Sequence, residues 1–141
     1  DYARPIYEAG RRALAWQYRR VLRRNIAYRE GLKRWFQGYD ALLCPVTGPA
    51  KRISDSLARD RSKADFTPDT GFLQSFNHGH NPAAAIPWTL NEEGLPLAVQ
   101  IVAAYGQDMR VMRLSATIEA ARPWAHRWPA IVGGVPGGVS D

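Results

Sequence analysis

The 141-residue sequence has a single cysteine, Cys44, and this scarcity excludes a disulfide within the chain. It has no apolar run near the roughly 20 residues that a membrane-spanning helix needs, and no charged-then-apolar leader. A starting methionine is also missing, since the chain begins at Asp1. These absences predict a soluble, cytoplasmic piece of a longer protein, with no membrane span.

Positive charge is concentrated near the start of the chain. Residues 1–37 contain ten Lys or Arg against three acidic residues, a net charge of +7, whereas the other residues have a net charge of −1. Between Glu8 and Phe36 only Gly10 and Gly31 disfavour a helix, and the pattern predicts a long amphipathic helix. Its apolar stripe consists of Leu14, Tyr18, Val21, Tyr28, Leu32 and Trp35, with Asn25 among them, and its basic face consists of Arg12, Arg19, Arg20, Arg23 and Arg34.

This basic face has two interpretations. It is typical of the solvated outer side of a helix that packs on a core. Alternatively, it could bind nucleic acid, an anionic membrane or an acidic partner through its guanidinium groups. No helix-turn-helix pattern or RNA motif with interleaved aromatic residues accompanies it, which argues against nucleic acid.

The middle of the chain predicts one strand and one irregular connection. Residues 39–47 form a short apolar segment that ends near Pro45, and Cys44 lies inside it, which favours a buried core residue over a nucleophile. Residues 48–76 are rich in Gly, Pro, Asp and Ser, and they predict an irregular connection.

Residues 77–124 predict a hairpin and a helix. Ala83–Thr89 and Leu95–Ala103 are apolar runs of strand length, and the second has so little polarity that both of its faces are expected to be covered, as in a central strand. Asp108 is predicted to cap a helix that carries Val111, Leu114, Ile118 and Ala121 at helical spacing. Residues 125–141 predict a glycine-rich tail, and the fold class is therefore α/β.

The same segments resemble the C-terminal portion of amidase signature hydrolases, over most of residues 30–125. The matching positions are residues 40–47, Asn77, Pro82, Ala83, Pro87, Gly94, Leu95, Pro96, Val99, Gln100, Glu119, Pro123 and Trp124. The resemblance implies a mixed sheet in the whole enzyme. It also implies hydrolysis of a small-molecule amide through a serine acyl-enzyme, with no metal or organic cofactor. The implied substrate-pocket candidates are Asn77, His78, His80 and Asn81.

Two departures from the family pattern matter. His80 stands where the family has a glycine, so a side chain occupies a turn that requires an unusual backbone angle. The segment with the nucleophilic serine, the serine in a cis peptide and the base lysine is absent, so no catalytic residue is predicted. The chain alone is therefore expected to be inactive, with apolar surface that a missing N-terminal half or a homodimer partner would cover. The competing hypothesis is a non-enzymatic interaction module that uses the basic helix.

Two other patterns have simple structural interpretations. His78 and His80 alternate like two metal ligands, but His126 is distant in sequence, so we expect a turn and no metal site. Trp124 and Trp128 are four residues apart, and we expect them to pack the last helix against the sheet.

Overall fold

The computed structural model of the chain describes residues 3–48 and 67–126. In chain order the elements are α1 (Ala3–Arg12), α2 (Ala15–Trp35), a 3₁₀ turn (Phe36–Gly38), β1 (Leu42–Pro45), α3 (Thr67–Gly79), β2 (Ala83–Leu90), β3 (Pro96–Val102) and α4 (Asp108–Ala121). This arrangement confirms the predicted α/β fold class. None of the described helices is long and apolar enough to cross a membrane.

The three described strands form an antiparallel sheet in the order β1-β3-β2. Ile101 on β3 lies opposite both Leu43 and Ala84, so β3 is the central strand, as predicted. The pairing of β2 with β3 shifts between Pro87 and Thr89, next to a proline that has no N–H to donate. Every pair within this sheet is antiparallel, so a mixed sheet would need strands other than these three.

Side chains alternate across β3 and divide the core into two clusters. On one face, Ile101 packs with Ile86, Ala103 and Val111, which brings α4 onto the sheet. Leu114, Ile118 and Trp124 cover this cluster, so the predicted packing role of Trp124 is confirmed, whereas Trp128 lies outside the described residues.

On the other face, Val102 packs with Phe36 and Phe76, which places α3 and the 3₁₀ turn against the sheet. Cys44 is half-buried at this second cluster, in agreement with a core residue. The buried amide of Gln100 donates through Nε2 to the Phe72 carbonyl at 3.3 Å and to Cys44 Sγ at 3.4 Å. A polar side chain is therefore accommodated in the core because it has partners there.

The expected coverage of β3 on both faces holds only near its end. Gln100, Ile101 and Val102 are buried, but Pro96–Ala98 is exposed, so the prediction is wrong for the first half of the strand. The reason is local: α4 packs through Val111 on Ile101 and Ala103, near the end of β3, and leaves the first half of the strand exposed.

The long helix predicted between Glu8 and Phe36 is present as α2, but it begins only at Ala15 because the chain breaks at Ala13 and Leu14. Leu14 has an extended backbone with φ −79° and ψ 150°, and its N–H donates to Gln17 Oε1 at 2.8 Å. The Gln17 side chain in the first turn thus accepts from the free N–H of Leu14, which stabilises the start of a second helix at this point.

Two further boundaries differ from expectation. The connection predicted to be irregular over 48–76 contains α3 from Thr67 onward, while residues 49–66 lie outside the described ranges. Pro68 falls in the first turn of α3, where its missing N–H needs no partner.

Gln107, not Asp108, occupies the cap position of α4, and Asp108 is instead the first helical residue. A carboxylate in the first turn is still favoured by the helix dipole. The predicted tail over 125–141 lies outside the described residues beyond His126.

Candidate functional site

The C-terminal end of α3 forms a tight turn with a histidine in the left-handed region. The N–H of Asn81 donates to the Phe76 carbonyl at 3.1 Å, and the N–H of His80 donates to the Asn77 carbonyl at 3.2 Å. These two bonds define a Schellman motif, in which the first residue after the helix takes positive φ and is usually glycine. His80 holds that position with φ 58°. This agrees with the unusual backbone angle predicted here, where the family has a glycine.

Asn81 connects this turn to the end of β3. Its Nδ2 donates to the Ala103 carbonyl at 2.8 Å, and the Ala103 N–H donates to the Pro82 carbonyl at 3.1 Å. Ala103 is fully buried, so both bonds lie at the edge of the core. The turn is therefore fixed by the sheet as well as by the helix.

Gly79 lies where the turn meets α2. A Cβ built on this glycine would lie 2.5 Å from Leu32 Cδ1 and still closer to Asn81 Oδ1. That Asn81 oxygen is buried and has no hydrogen-bond partner in the structure. The close approach of α2 to the turn therefore depends on glycine at this position.

A cavity of about 470 Å³ opens on one side of the turn. Its lining residues come from the end of α3, the turn, the loop between β3 and α4, and the first residue of α4: Phe76, Asn77, His80, Asn81, Pro82, Tyr105, Gly106 and Asp108. Residues with amide, imidazole, phenol and carboxylate side chains thus line this space together with the apolar Phe76 and Pro82. This mixture suits a small ligand with hydrogen-bonding groups and an apolar body.

A second cavity of about 300 Å³ lies between the turn and the C-terminal half of α2. His80, Asn81 and Tyr105 line both cavities, so they form a ridge between them. Of these two cavities, only the second is lined by residues of α2 that include Arg29, Glu30 and Lys33. The second cavity is therefore the more cationic of the pair.

The structure brings three of the four predicted site residues together. Asn77, His80 and Asn81 line the larger cavity, whereas His78 lines neither and is exposed. The His78 carbonyl accepts a hydrogen bond from Arg29 Nε at 3.1 Å, which ties α2 to the end of α3. A role of these residues in binding stays a prediction.

The sequence interpretation missed the loop that faces the turn. Tyr105, Gly106 and Asp108 line the larger cavity, and Gly106 takes φ 76° in a turn closed by a bond from the Gln107 N–H to the Ala104 carbonyl at 3.0 Å. The glycine just after an apolar strand was the available signal, since it indicates a turn at the strand end.

The candidate nucleophiles and ligands do not assemble at these cavities. Cys44 lines neither cavity and lies in the core against Phe36, Phe76 and Val102. Within residues 3–48 and 67–126, no three His, Cys, Asp or Glu side chains are grouped so that they could hold a metal ion.

Comparisons with known proteins agree on one family. The family model described as Amidase matches residues 3–112. An acylamidase of Rhodococcus erythropolis is 33% identical over 96 residues, which are 65% of this chain and 20% of that protein. The 6-aminohexanoate-cyclic-dimer hydrolase of Paenarthrobacter ureafaciens is 30% identical over 116 residues, which are 74% of this chain and 24% of that protein.

The fold agrees with a solved structure of the same kind of enzyme. A 6-aminohexanoate cyclic dimer hydrolase complexed with substrate superposes with a TM-score of 0.76 and 22% identity. The match covers 91% of this chain and 29% of that one. The chain thus spans between a fifth and a third of the length of these relatives.

Proposed function

The chain belongs to the amidase signature family, and from that premise we propose that it is the C-terminal part of an amide hydrolase and forms one wall of its substrate pocket. The observation that carries this proposal is the cavity of about 470 Å³ beside the fixed turn at His80. A wall of this kind supplies shape and hydrogen bonds, and these select and orient the substrate.

The proposed reaction divides the work between two parts of the enzyme. A serine hydroxyl of the other part attacks the amide carbonyl, and the amine leaves with a proton as the acyl-enzyme forms. Water then attacks the ester, so the carboxylic acid is released and the serine is restored. This scheme uses no metal or organic cofactor, and we place it in the cytoplasm.

Within this chain, two side chains are suited to contact the amide substrate, and Asn81 holds the turn beside them in place. Asn81 is held by its bond to the Ala103 carbonyl, so its side chain is fixed at the cavity edge. Asn77 and Tyr105 add an amide and a phenol that could donate to a carbonyl or accept from an N–H. We propose that these groups affect substrate binding more than the chemical step.

The test compares this chain with the longest natural form of the protein. Hydrolysis is measured for aryl amides, acyl amides and the cyclic dimer of 6-aminohexanoate, which the name of one relative suggests. We expect activity only in the longer form, and a higher KM for Tyr105→Ala than for the exposed control Tyr7→Ala on α1. Hydrolysis by the 141-residue chain alone would contradict the proposed division and would direct mutagenesis to Cys44, Ser75 and Ser140.

The alternative is an interaction module without enzymatic activity. The Arg-rich face of α2 is exposed, which is compatible with binding of an anionic partner. Salt-dependent binding to nucleic acid that charge reversal at Arg19 and Arg23 abolishes, with no hydrolysis in the longer form, would favour this alternative.

A further inference from the structure

The cavity of about 300 Å³ between the turn and α2 includes a guanidinium group that the fold holds in place. Arg29 is half-buried, and its Nε donates to the His78 carbonyl at 3.1 Å. Within residues 3–48 and 67–126, the side chain of Arg29 makes no other hydrogen bond and no ion pair. The N–H donors on its two terminal nitrogens are therefore available to a ligand.

The charged residues of this cavity leave one excess positive charge. Arg29 and Lys33 are cationic, Glu30 is anionic, and all three line the cavity. In the described part of the chain, neither Lys33 nor Glu30 has an ion-pair partner. A single excess charge suits a monoanion, and a guanidinium, whose N–H donors lie in one plane, pairs well with a planar carboxylate.

The walls beside these charges are apolar. Leu32 and Ala104 line the same cavity and are half-buried. A ligand that fits both features has an aliphatic chain that ends in a carboxylate. A free phosphate ion has no such chain and would leave this apolar surface uncovered.

This cavity adjoins the larger one, in which the amide is proposed to bind. His80, Asn81 and Tyr105 line both cavities. At about 30 Å³ for each water-sized group, a volume of about 300 Å³ holds roughly ten such groups. A substrate arm of a few methylene groups and a carboxylate therefore fits there while the amide occupies the larger cavity.

We propose that the second cavity binds a carboxylate of the substrate, so that the enzyme acts on amides with an aliphatic arm that ends in a carboxylate. This assignment rests on the proposed function for the reaction, and it deepens that function by naming the substrate class. Arg29 and Lys33 do not belong to the basic face of α2, so this site is separate from the surface that the alternative interaction module would use.

Carboxylate binding is measured first, on the 141-residue chain and without catalysis. The probes are hexanoate and hexanamide, which have the same carbon chain and differ in charge, and binding is followed by NMR chemical shifts. We expect hexanoate to bind more tightly and to shift the backbone N–H signals of Gly79 and Leu32, which line the cavity. Added salt should weaken the binding of hexanoate only.

Three substitutions test the charges one at a time. Lys33→Gln should weaken hexanoate binding by about threefold to fivefold, and Glu30→Gln should strengthen it by a similar factor, as for exposed ion pairs. The matched control is Arg34→Gln, which removes the positive charge of an exposed residue that lines neither cavity, and it should change binding by less than about twofold.

Two results would overturn the site. One is equal binding of hexanoate and hexanamide. The other is an equal loss from Lys33→Gln and Arg34→Gln, because the anion would then respond to the overall positive potential of α2 and not to the cavity.

The substrate class is tested by hydrolysis in the longest natural form of the protein. Two matched pairs of amides place the carboxylate on either side of the amide bond: adipic acid monoanilide with hexananilide, and N-benzoyl-6-aminohexanoate with N-hexylbenzamide. We expect a lower KM for the carboxylate member of at least one pair, and Lys33→Gln should remove that advantage while Arg34→Gln keeps it.

The two measurements separate this site from the reaction itself. Hydrolysis without any preference for a carboxylate would overturn the substrate class and leave the proposed function intact. Hexanoate binding with the expected effects of the substitutions, but without hydrolysis of any amide, would contradict the proposed function and support the carboxylate site.

Discussion

Alanine at Gly79 and alanine at Gly31 should change stability in opposite directions, although both glycines are in helices. At Gly31 a new Cβ would meet nothing within 4 Å, so the substitution only removes glycine's excess entropy in the unfolded chain. We expect Gly31→Ala to raise the free energy of unfolding by roughly 0.5–1 kcal/mol. The measurement is urea unfolding followed by tryptophan fluorescence.

At Gly79 the added Cβ would collide with Asn81 Oδ1 and lie 2.5 Å from Leu32 Cδ1. Asn81 cannot turn aside without giving up its 2.8 Å bond to the Ala103 carbonyl, which is in the core. Overpacking of this kind costs roughly 1–3 kcal/mol, against a helix-propensity gain of less than about 1 kcal/mol. The net expectation is a loss of roughly 1–2 kcal/mol in the free energy of unfolding.

The cause can be isolated with a double-mutant cycle. If the collision with Asn81 dominates, Gly79→Ala should be less destabilising in an Asn81→Ala background than in the wild type. A Gly79→Ala variant as stable as Gly31→Ala would refute the argument, since it would mean that α2 can move away from the turn at no cost.

Three other substitutions test the core, the turn and the surface. Gln100→Leu should lower the free energy of unfolding by roughly 0.5–1.5 kcal/mol because it removes the side-chain hydrogen bond to the Phe72 carbonyl, whereas the exposed control Gln107→Leu should have little effect. His80→Gly should raise it by roughly 0.5–1 kcal/mol, since glycine adopts φ 58° without strain, and a loss of stability in urea unfolding would contradict this. Arg110→Ala should cost less than about 1 kcal/mol, and less still at high salt, because its 2.8 Å ion pair with Asp40 is exposed; a larger, salt-insensitive loss in thermal unfolding would show that this reasoning is wrong.

The strands and the last helix could be predicted from the sequence because their signals are local. The apolar run of β3 and the helical spacing of Val111, Leu114 and Ile118 each require one neighbouring surface, and the sheet supplies it. The positive φ at His80 was also predictable, since a known pattern places glycine there.

The breaks and the site walls were not predictable because they depend on particular partners. The interruption at Leu14 relies on one hydrogen bond to Gln17, and helix periodicity does not register such a bond. The start of α3 was hidden by loop-forming residues that are also compatible with a first helical turn. Tyr105 reaches the cavity only because β3 ends beside the turn, and that proximity is set by the tertiary structure.

The position of His80 gives the last prediction, on how the turn affects substrate selection. A glycine would satisfy the Schellman geometry at lower conformational cost, yet the histidine is held there by two helix-end hydrogen bonds and by the adjacent bond from Asn81 to Ala103. Strain that the surroundings hold in place is typical of functional positions. His80 lines both cavities, so a glycine at this position would remove a side chain from between them. If the proposed pocket is correct, His80→Gly should therefore make the protein more stable and its substrate selection broader in the same variant.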